Sequence, residues 1–348
     1  MSFRLSVLDQ SPISEGATGA QALANSVDLA RLADALGYHR YWVAEHHGTP
    51  MLACASPEAL IGPIGALTSR IRVGSGGVML PHYSPLKVAE TFSMLSGLFP
   101  GRIDLAVGRA PGTDSTTMFA LQRDRRHAAP DDFPQQLAEL LAYLDGSLPA
   151  AHPFAHLVAL PGRPERPDPW LLGSSAQSGI WAAELGMPYA FADFINPAGV
   201  EFAARYRAEF KPSSWRPAPE VIIAVWVVCA DSDDAAKRLA TSAMMSFKLL
   251  QRGRLIPVPP VERAIAFLDQ ERADAQASQS GGSNVASGFS RTSRRRIVGS
   301  PQTVRSGIEA VAKEYGADEV MVVTITYDHA ARRRSYELIA EAFGLSAA

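Results

Sequence analysis

Two adjacent imidazole side chains stand directly after a short predicted strand. The strand covers residues 40–44, and Glu45, His46 and His47 follow it. Because an imidazole titrates at about pH 6.5, either ring can give or accept a proton at neutral pH. Neighbouring residues of a strand point to opposite faces, so both rings reach one ligand only where the chain bends. Acid/base or hydrogen-bonding chemistry is our first interpretation; a metal site and purely structural contacts stay open.

A glycine-rich stretch follows the next predicted strand, which covers residues 71–74. It includes the neighbours Gly76 and Gly77. Glycine lets a flat ligand approach the backbone closely and permits dihedral angles that other residues avoid. The spacing is not that of a nucleotide-phosphate fingerprint, and a tight turn has the same composition. A ligand contact and a plain turn are therefore both compatible with this stretch.

Two further strand ends carry groups that suit an anion. Arg109 lies beside glycine after the strand predicted at residues 103–107, where its guanidinium can hold a phosphate through two parallel hydrogen bonds. Ser174 and Gln177 follow the next predicted strand, at the start of a helix, where hydroxyls and free backbone N–H groups bind anions. A surface ion pair is the alternative for the arginine, and ordinary helix capping is the alternative for the serine.

The elements that position these groups alternate between strand and helix, which argues for an α/β protein with a parallel sheet. Eight strands are predicted, at residues 3–9, 40–44, 71–74, 103–107, 170–172, 189–192, 221–229 and 320–325. Asp231 is predicted to cap the helix after the seventh strand. Closure into a single (β/α)8 barrel over residues 1–348 is the most economical architecture, and an open doubly wound sheet is the alternative. In such a barrel, functional groups gather at the carboxyl ends of the strands.

Residues 251–300 interrupt this alternation, between the seventh and eighth predicted strands. A short helix is predicted at residues 261–272, followed by small polar residues and then by arginines that include Arg294, Arg295 and Arg296. Such a composition buries little apolar surface, so we predict a mobile insertion that reaches the mouth of the barrel. The arginines fit a solvated charge run as well as a functional role. A long irregular connection is also predicted at residues 149–169.

The composition excludes several classes of partner. The 33 Lys and Arg residues are balanced by 35 Asp and Glu residues, so a nucleic-acid partner is not expected. No apolar run approaches the ~20 residues that span a bilayer, and no cleavable leader is evident. Cys54 and Cys229 stand far apart, without metal or disulfide spacing. We therefore expect a cytoplasmic protein that does not enter membranes.

Five segments, taken in order, resemble the bacterial-luciferase-like flavin monooxygenases. They are YWVAEHHGTP, VGSGGVMLPHYSPLKVAETFSML, PGRIDLAVGRAPGTD, LLGSSAQSGIWAAELGMPYAFA and RIVGSPQTVRSGIEAVAKEYGADEVMVV. Each segment alone is weak, but their combination and order are specific and cover nearly the whole chain. The resemblance is to the non-luminescent subgroup, since Gly108 stands where the luciferase catalytic subunit has a cysteine. Light emission is therefore not expected.

The resemblance implies a TIM barrel that binds reduced FMN at its carboxyl-terminal mouth. It assigns His46 as the catalytic histidine beside the flavin ring. It implies that Gly76 and Gly77 are joined by a cis peptide bond and face that ring. Arg109 and Ser174 match phosphate-binding residues, and Gln177 stands where the family often has a hydroxyl. Residues 251–300 match the mobile active-site loop of the family.

The activity implied is oxygenation of a small apolar substrate through a flavin hydroperoxide formed from reduced FMN and O2. No NAD(P)H fingerprint is visible, so a separate flavin reductase is the expected source of reduced FMN. Relatives often form dimers, and the resemblance therefore implies a homodimer. Three alternatives stay open: a deazaflavin-dependent enzyme that transfers hydride on the same fold, a flavin-binding protein without catalysis, and a metal-dependent barrel hydrolase or isomerase.

Overall fold

The backbone forms a closed parallel barrel. The computed structural model describes residues 3–110, 112–122, 124–127, 131–162, 165–280 and 295–346, with backbone alone at 277–280. The strands in this part of the chain are β1 (Arg4–Asp9), β2 (Arg40–Val43), β3 (Arg72–Met79), β4 (Ile103–Gly108), β5 (Asp168–Gly173), β6 (Tyr189–Ala192), β7 (Val221–Cys229), β8 (Arg296–Gly299) and β9 (Glu319–Val323). Neighbouring strands pair in parallel from β1 to β7, and β9 closes the ring by pairing with both β7 and β1. The expected (β/α)8 TIM barrel is confirmed.

Helices follow the strands and form the outer layer. They are α1 (Gly19–Leu36), α2 (Pro57–Leu67), α3 (Pro85–Leu98), α4 (Ser115–Leu121), α5 (Phe133–Asp145), α6 (Ala176–Leu185), α7 (Val200–Glu209), α8 (Asp233–Leu250), α9 (Val261–Ser280), α10 (Pro301–Tyr315) and α11 (His329–Phe343). Proline stands in the first turn of α2, α3 and α10, where its fixed φ favours the start of a helix. None of the helices in the described ranges combines the length and apolar character needed to cross a membrane.

The segment at residues 251–300 is more ordered than its composition suggests. Helix α9 runs to Ser280, beyond the predicted end at residue 272, because its early part packs Ala264 against Met245 and Leu249 of α8. Strand β8 is a ninth strand, paired in parallel with the end of β7 from Trp226 to Cys229. The helix predicted at residues 261–272 is therefore present and longer than expected, and strand β8 was not predicted. Residues 281–294, which include Arg294 and the rest of the predicted mobile loop, lie outside the described residues.

Two local predictions also need correction. Strand β3 does not end at residue 74 but continues through the glycines to Met79, with a shift of register against β4 between Gly76 and Val78. The N-cap of α8 is Ser232, whose hydroxyl accepts from the backbone N–H of Ala235, and not Asp231. A hydroxyl one residue nearer the helix reaches that N–H with ordinary capping geometry. The irregular connection before β5 has no helix or strand in its described part.

The apolar core has two layers, separated by the barrel wall. Alternate residues of each strand point inward and outward, as the pleat requires. In β7, Ile222, Ala224 and Trp226 fill the barrel, while Ile223 and Val225 pack under the helices. Inside the barrel, the rings of Trp42 and Trp170 meet edge to face at 5.6 Å between centroids. The interior is therefore packed, and a ligand must bind at one of its ends.

Buried charges close the amino-terminal end of the barrel. The guanidinium of Arg40, 3% exposed, donates to Asp104 at 2.9 Å and to Glu319 at 3.0 Å. Burial acts to raise the pKa of Asp104, but the charges of Arg40 and Arg72 outweigh it and hold that pKa below its ordinary value. This network ties β2, β4 and β9 together and leaves the opposite, carboxyl-terminal mouth for function.

Candidate functional site

Glu45 organises the mouth of the barrel between β2 and β3. Its carboxylate is fully buried and accepts three hydrogen bonds from the described residues. His47 Nε2 lies 2.7 Å from Oε1, the Tyr83 hydroxyl donates to the same oxygen at 3.0 Å, and the backbone N–H of Met79 donates to Oε2 at 3.1 Å. The carboxylate therefore fixes the loop after β2 against the end of β3.

The two adjacent histidines have different surroundings. His47 is held by Glu45, and its ring meets that of His82 edge to face at 5.7 Å. His46 is held by its backbone, whose N–H donates to the Cys54 carbonyl at 2.9 Å. Its ring atom Nδ1 is buried and has no hydrogen-bond partner in the described part of the chain. The two adjacent rings therefore differ: His47 is hydrogen-bonded to Glu45, whereas Nδ1 of His46 is left unpaired by the described residues.

The protonation of His46 differs from that of a free imidazole. Burial, assisted by the neighbouring His47, lowers the pKa of His46 to about 4. The ring is therefore neutral at pH 7, with one nitrogen that donates and one that accepts. The sequence interpretation assumed the ordinary value of about 6.5, which desolvation has shifted. A neutral imidazole can still relay a proton or orient a ligand by hydrogen bonding.

The peptide bond between Gly76 and Gly77 is cis, as the resemblance implies. A Cβ atom on Gly76 would lie 2.5 Å from the Leu8 side chain, and one on Gly77 would lie 2.7 Å from the Ala106 carbonyl oxygen. Neither glycine can therefore carry a side chain without movement of its neighbours. These glycines lie in β3, and Gly77 is two residues before Met79, the strand end that contacts Glu45.

Arg109 is exposed at the end of β4 and makes a surface ion pair. Its Nε lies 3.1 Å from Asp131 Oδ1, and Nη2 pairs with the other oxygen of that carboxylate. The guanidinium lies 5.8 Å from the ring centroid of Trp181, a residue of α6. The surface ion pair, the alternative to a phosphate contact, is thus present. The side chain of Arg109 also lies next to α6, the helix that follows Ser174.

The amino terminus of α6 has no side-chain cap. Its N-cap residue, Ser175, makes no capping hydrogen bond, whereas the Ser178 hydroxyl donates back to the Ser175 carbonyl at 2.7 Å. The carbonyl of Ser174 accepts from the Asn196 side chain at 2.9 Å, and Gln177 is exposed. Ordinary capping therefore does not explain these serines, and the first N–H groups of α6 keep their capacity to bind an anion.

The sequence-predicted residues all lie on the carboxyl-terminal half of the barrel, on β2 to β5 and the segments that follow. The structure adds two that sequence reasoning missed: Glu45 as the buried acceptor, and Trp226, whose buried indole Nε1 has no partner among the described residues. The carboxylate of Glu45 before two histidines was a visible signal, and His47 is indeed one of its partners, but the other two come from the end of β3 and the turn after it. Within the described ranges, no group of three His, Cys, Asp or Glu side chains is arranged to hold a metal ion.

Comparisons with known proteins agree on one family. The family model described as luciferase-like monooxygenase matches residues 1–319. A relative named luciferase-like monooxygenase from Escherichia coli K12 is 41% identical over 336 residues, or 96% of this chain and 95% of the relative. A relative named N-acetyl-S-alkylcysteine monooxygenase from Bacillus subtilis is 36% identical over 345 residues, or 98% of both chains.

Solved structures agree with these relatives. The crystal structure of apo-MsnO8 superposes with a TM-score of 0.86 at 42% identity and covers 99% of this chain and 98% of its own. The oxygenating constituent of 3,6-diketocamphane monooxygenase from Pseudomonas putida, in complex with FMN, gives a TM-score of 0.67 at 19% identity, with 99% and 98% covered. An F420-dependent secondary alcohol dehydrogenase gives 0.63 at 13% identity, with 98% and 99% covered. The last two share the fold alone.

Proposed function

The chain belongs to the luciferase-like monooxygenase family, and on that premise we propose that it is an FMN-dependent monooxygenase. It uses reduced FMN and O2 to oxygenate a small apolar organic substrate. One oxygen atom enters the substrate and the other leaves as water, with two electrons supplied by the reduced cofactor. A thioether belongs among the first substrates to screen, because one relative is named for an S-alkylated cysteine.

The observation that carries this proposal is the unpaired ring nitrogen of His46. A buried polar atom without a partner is costly, so it indicates a group that the ligand-bound protein brings to it. Nδ1 of His46 is such an atom, at the mouth of the barrel. A heteroatom of the flavin ring or of the substrate suits it, since a neutral imidazole can either donate or accept there.

The remaining residues fit the two ends of FMN. Gly76 and Gly77 form a wall without side chains, against which a flat ring can lie. Arg109 and Ser174, with Gln177 and the uncapped N–H groups of α6, suit a phosphate. Phosphate binding would compete with Asp131 for the guanidinium of Arg109. FMN, when bound, supplies the electrons that activate O2, while the chain orients it, excludes water and holds a proton at His46.

The partners are part of the same proposal. A separate reductase supplies reduced FMN, as the missing NAD(P)H fingerprint suggests. The chain forms a homodimer, supported by the exposed apolar side chains Leu67 of α2 and Met94 and Leu98 of α3. We place the protein in the cytoplasm, because Cys54 and Cys229 are both free and buried.

Binding of reduced FMN tests the proposal directly. Photoreduced FMN is titrated anaerobically into the purified chain, and the protein is then mixed with air while the flavin spectrum is followed. We expect saturable binding, and reoxidation that is slower than that of free reduced FMN. Reoxidation at the free rate, with no binding, would contradict the proposal.

A deazaflavin-dependent hydride transfer is the second candidate, since the F420-dependent dehydrogenase shares the fold. The absorbance spectrum of the bound cofactor separates deazaflavin from FMN. Tight flavin binding without substrate oxygenation would instead indicate the non-catalytic flavin-binding protein.

A further inference from the structure

An aromatic cavity of about 180 Å³ opens beside the carboxyl-terminal half of β7. Its walls are apolar and its rim is basic. The side chains that line it are Phe194, Trp226, Met244, Phe247, Lys248, Gln251, Arg295 and Arg296. We call it the Trp226 cavity. Its volume suits a single aromatic ring or a short alkyl chain and is too small for an entire FMN molecule.

One wall of the Trp226 cavity holds an unsatisfied hydrogen-bond donor. Trp226 is 3% exposed, and its ring meets Phe247 edge to face at 5.4 Å. Its indole Nε1 is buried without a partner among the described residues. Because indole N–H is a donor only, the group that satisfies it must be an acceptor, such as an oxygen. The donor therefore points to a ligand with an oxygen atom near its aromatic or alkyl part.

The rim of the cavity is positively charged. Three of its lining residues are cations and none is a carboxylate. Lys248 pairs with Glu271 at 3.2 Å, and Arg295 lies 3.4 Å from Asp193 and also pairs with Glu314. Arg296 has no ion pair or hydrogen bond through its side chain within the described ranges. An anionic ligand can therefore pair with the guanidinium of Arg296 without breaking an existing ion pair.

The strand register directs Arg296 toward the cavity. Trp226 of β7 and Arg296 of β8 are register partners, and paired residues of neighbouring strands point to the same side of a sheet. Trp226 faces the barrel interior. Ile297, the next residue of β8, packs in the outer layer, so Arg296 lies on the same side of the sheet as Trp226, where its exposed side chain lines the cavity. The indole N–H of Trp226 and the guanidinium of Arg296 thus belong to side chains that line the same cavity.

The cavity lies toward the same carboxyl-terminal end of the barrel as His46. Trp226 stands in the second half of β7, and His46 follows the end of β2, which runs parallel to it. We propose, resting on the monooxygenase function above, that the substrate is an apolar molecule carrying a carboxylate. The Trp226 cavity binds that end: Arg296 takes the negative charge, and Trp226 Nε1 donates to an oxygen.

Binding of matched acids and alcohols tests this assignment without turnover. Phenylacetate, 3-phenylpropanoate and 4-phenylbutanoate are titrated calorimetrically into the full chain without flavin, each beside its uncharged alcohol. We expect at least one acid to bind about tenfold or more tightly than its alcohol, the usual gain from a charged hydrogen-bond partner. Arg296→Gln removes the preference and Arg296→Lys restores part of it. Trp226→Phe weakens the acid about threefold to tenfold.

A matched control is Arg305→Gln, which removes a surface arginine of α10 that pairs with Glu309. It should leave the preference unchanged. Equal binding of acids and alcohols, no binding of any acid, or an acid preference that survives Arg296→Gln would overturn the proposal. So would a selective loss of FMN over riboflavin in Arg296→Gln, because the cavity would then hold the cofactor phosphate. Carboxylate binding without oxygenation of any substrate would retain the cavity assignment and remove the proposed monooxygenase function.

Discussion

His47 Nε2 lies 2.7 Å from the buried carboxylate of Glu45, and this contact separates the roles of two adjacent histidines. The imidazole of His47 is hydrogen-bonded within the protein. The imidazole of His46 keeps a buried nitrogen that the described residues leave unpaired. Two identical adjacent residues thus have different surroundings: one ring is hydrogen-bonded to a carboxylate, and the other has a nitrogen free of described partners, which we propose contacts the ligand.

Arg109→Ala should weaken FMN binding far more than riboflavin binding. A bidentate contact between a guanidinium and a phosphate contributes about 1.5–3 kcal/mol, which is on the order of tenfold to a hundredfold in affinity. Riboflavin lacks the phosphate and serves as the internal standard. Fluorescence quenching of each flavin gives the two dissociation constants. The control is Arg126→Ala, an exposed arginine paired with Asp124; equal losses for both flavins would place Arg109 outside the phosphate site.

The stability of the protein should fall as the pH decreases from 7 to 5, partly because of His46. Its folded pKa of about 4 lies below the unfolded value of about 6.5, so the unfolded chain binds more protons across this range. Protonation therefore favours unfolding as the pH falls. The contribution is about 1–2 kcal/mol at pH 5. Urea unfolding at both pH values should show a smaller difference for His46→Ala than for the wild type; an identical difference would mean that the ring is already solvated.

Arg40→Met should destabilise the barrel by about 3 kcal/mol, because it removes the buried cation that joins Asp104 to Glu319. Asp104 keeps its pair with Arg72, whereas Glu319 is left with the partly exposed Arg4 at 3.3 Å. Urea unfolding measures the change. Arg238→Met is the matched control, since Arg238 pairs with Glu262 on the surface and should cost less than about 1 kcal/mol. Similar losses in both variants would show that the network at the amino-terminal end contributes little.

The proposed homodimer should be sensitive to charge on the exposed face of α3. Leu98, 68% exposed, is the most exposed of the large apolar side chains in the described ranges. Leu98→Lys should shift the chain from dimer to monomer in sedimentation velocity. A wild-type chain that sediments as a monomer at micromolar concentration would contradict the proposal.

Much of the barrel could be predicted from the sequence because its strands are short apolar runs separated by well-marked helices. Strand β7 is the clearest case, since all nine of its residues are buried. Strand β8 could not be predicted, because its four residues follow a run of arginines and form a strand only by pairing with β7. The extension of β3 through Gly76 and Gly77 depends on the close packing of Leu8 and Ala106, which no local pattern records.

Part of the candidate site could be predicted from the alternation of strands and helices. His46, Arg109 and Ser174 follow strands, so their place at the mouth comes from the alternation of elements. Two of the partners of Glu45, Met79 and Tyr83, are more than 30 residues away, and the lowered pKa of His46 comes mainly from burial. Trp226 looked like any apolar residue of a buried strand. The role that we propose for it depends on the cavity beside it, which only the folded structure shows.

The most direct test of the account compares His46→Ala with His47→Ala as product formed per reduced flavin consumed. The substrate is any aldehyde, ketone or thioether that the wild-type chain oxygenates in a screen. We expect His46→Ala to bind reduced FMN and keep the barrel fold, yet to lose about 10²–10⁴-fold in product formation, as removal of a positioned acid/base group does. His47→Ala should lose less. Wild-type turnover and coupling in His46→Ala would contradict the account and make His46 a structural residue.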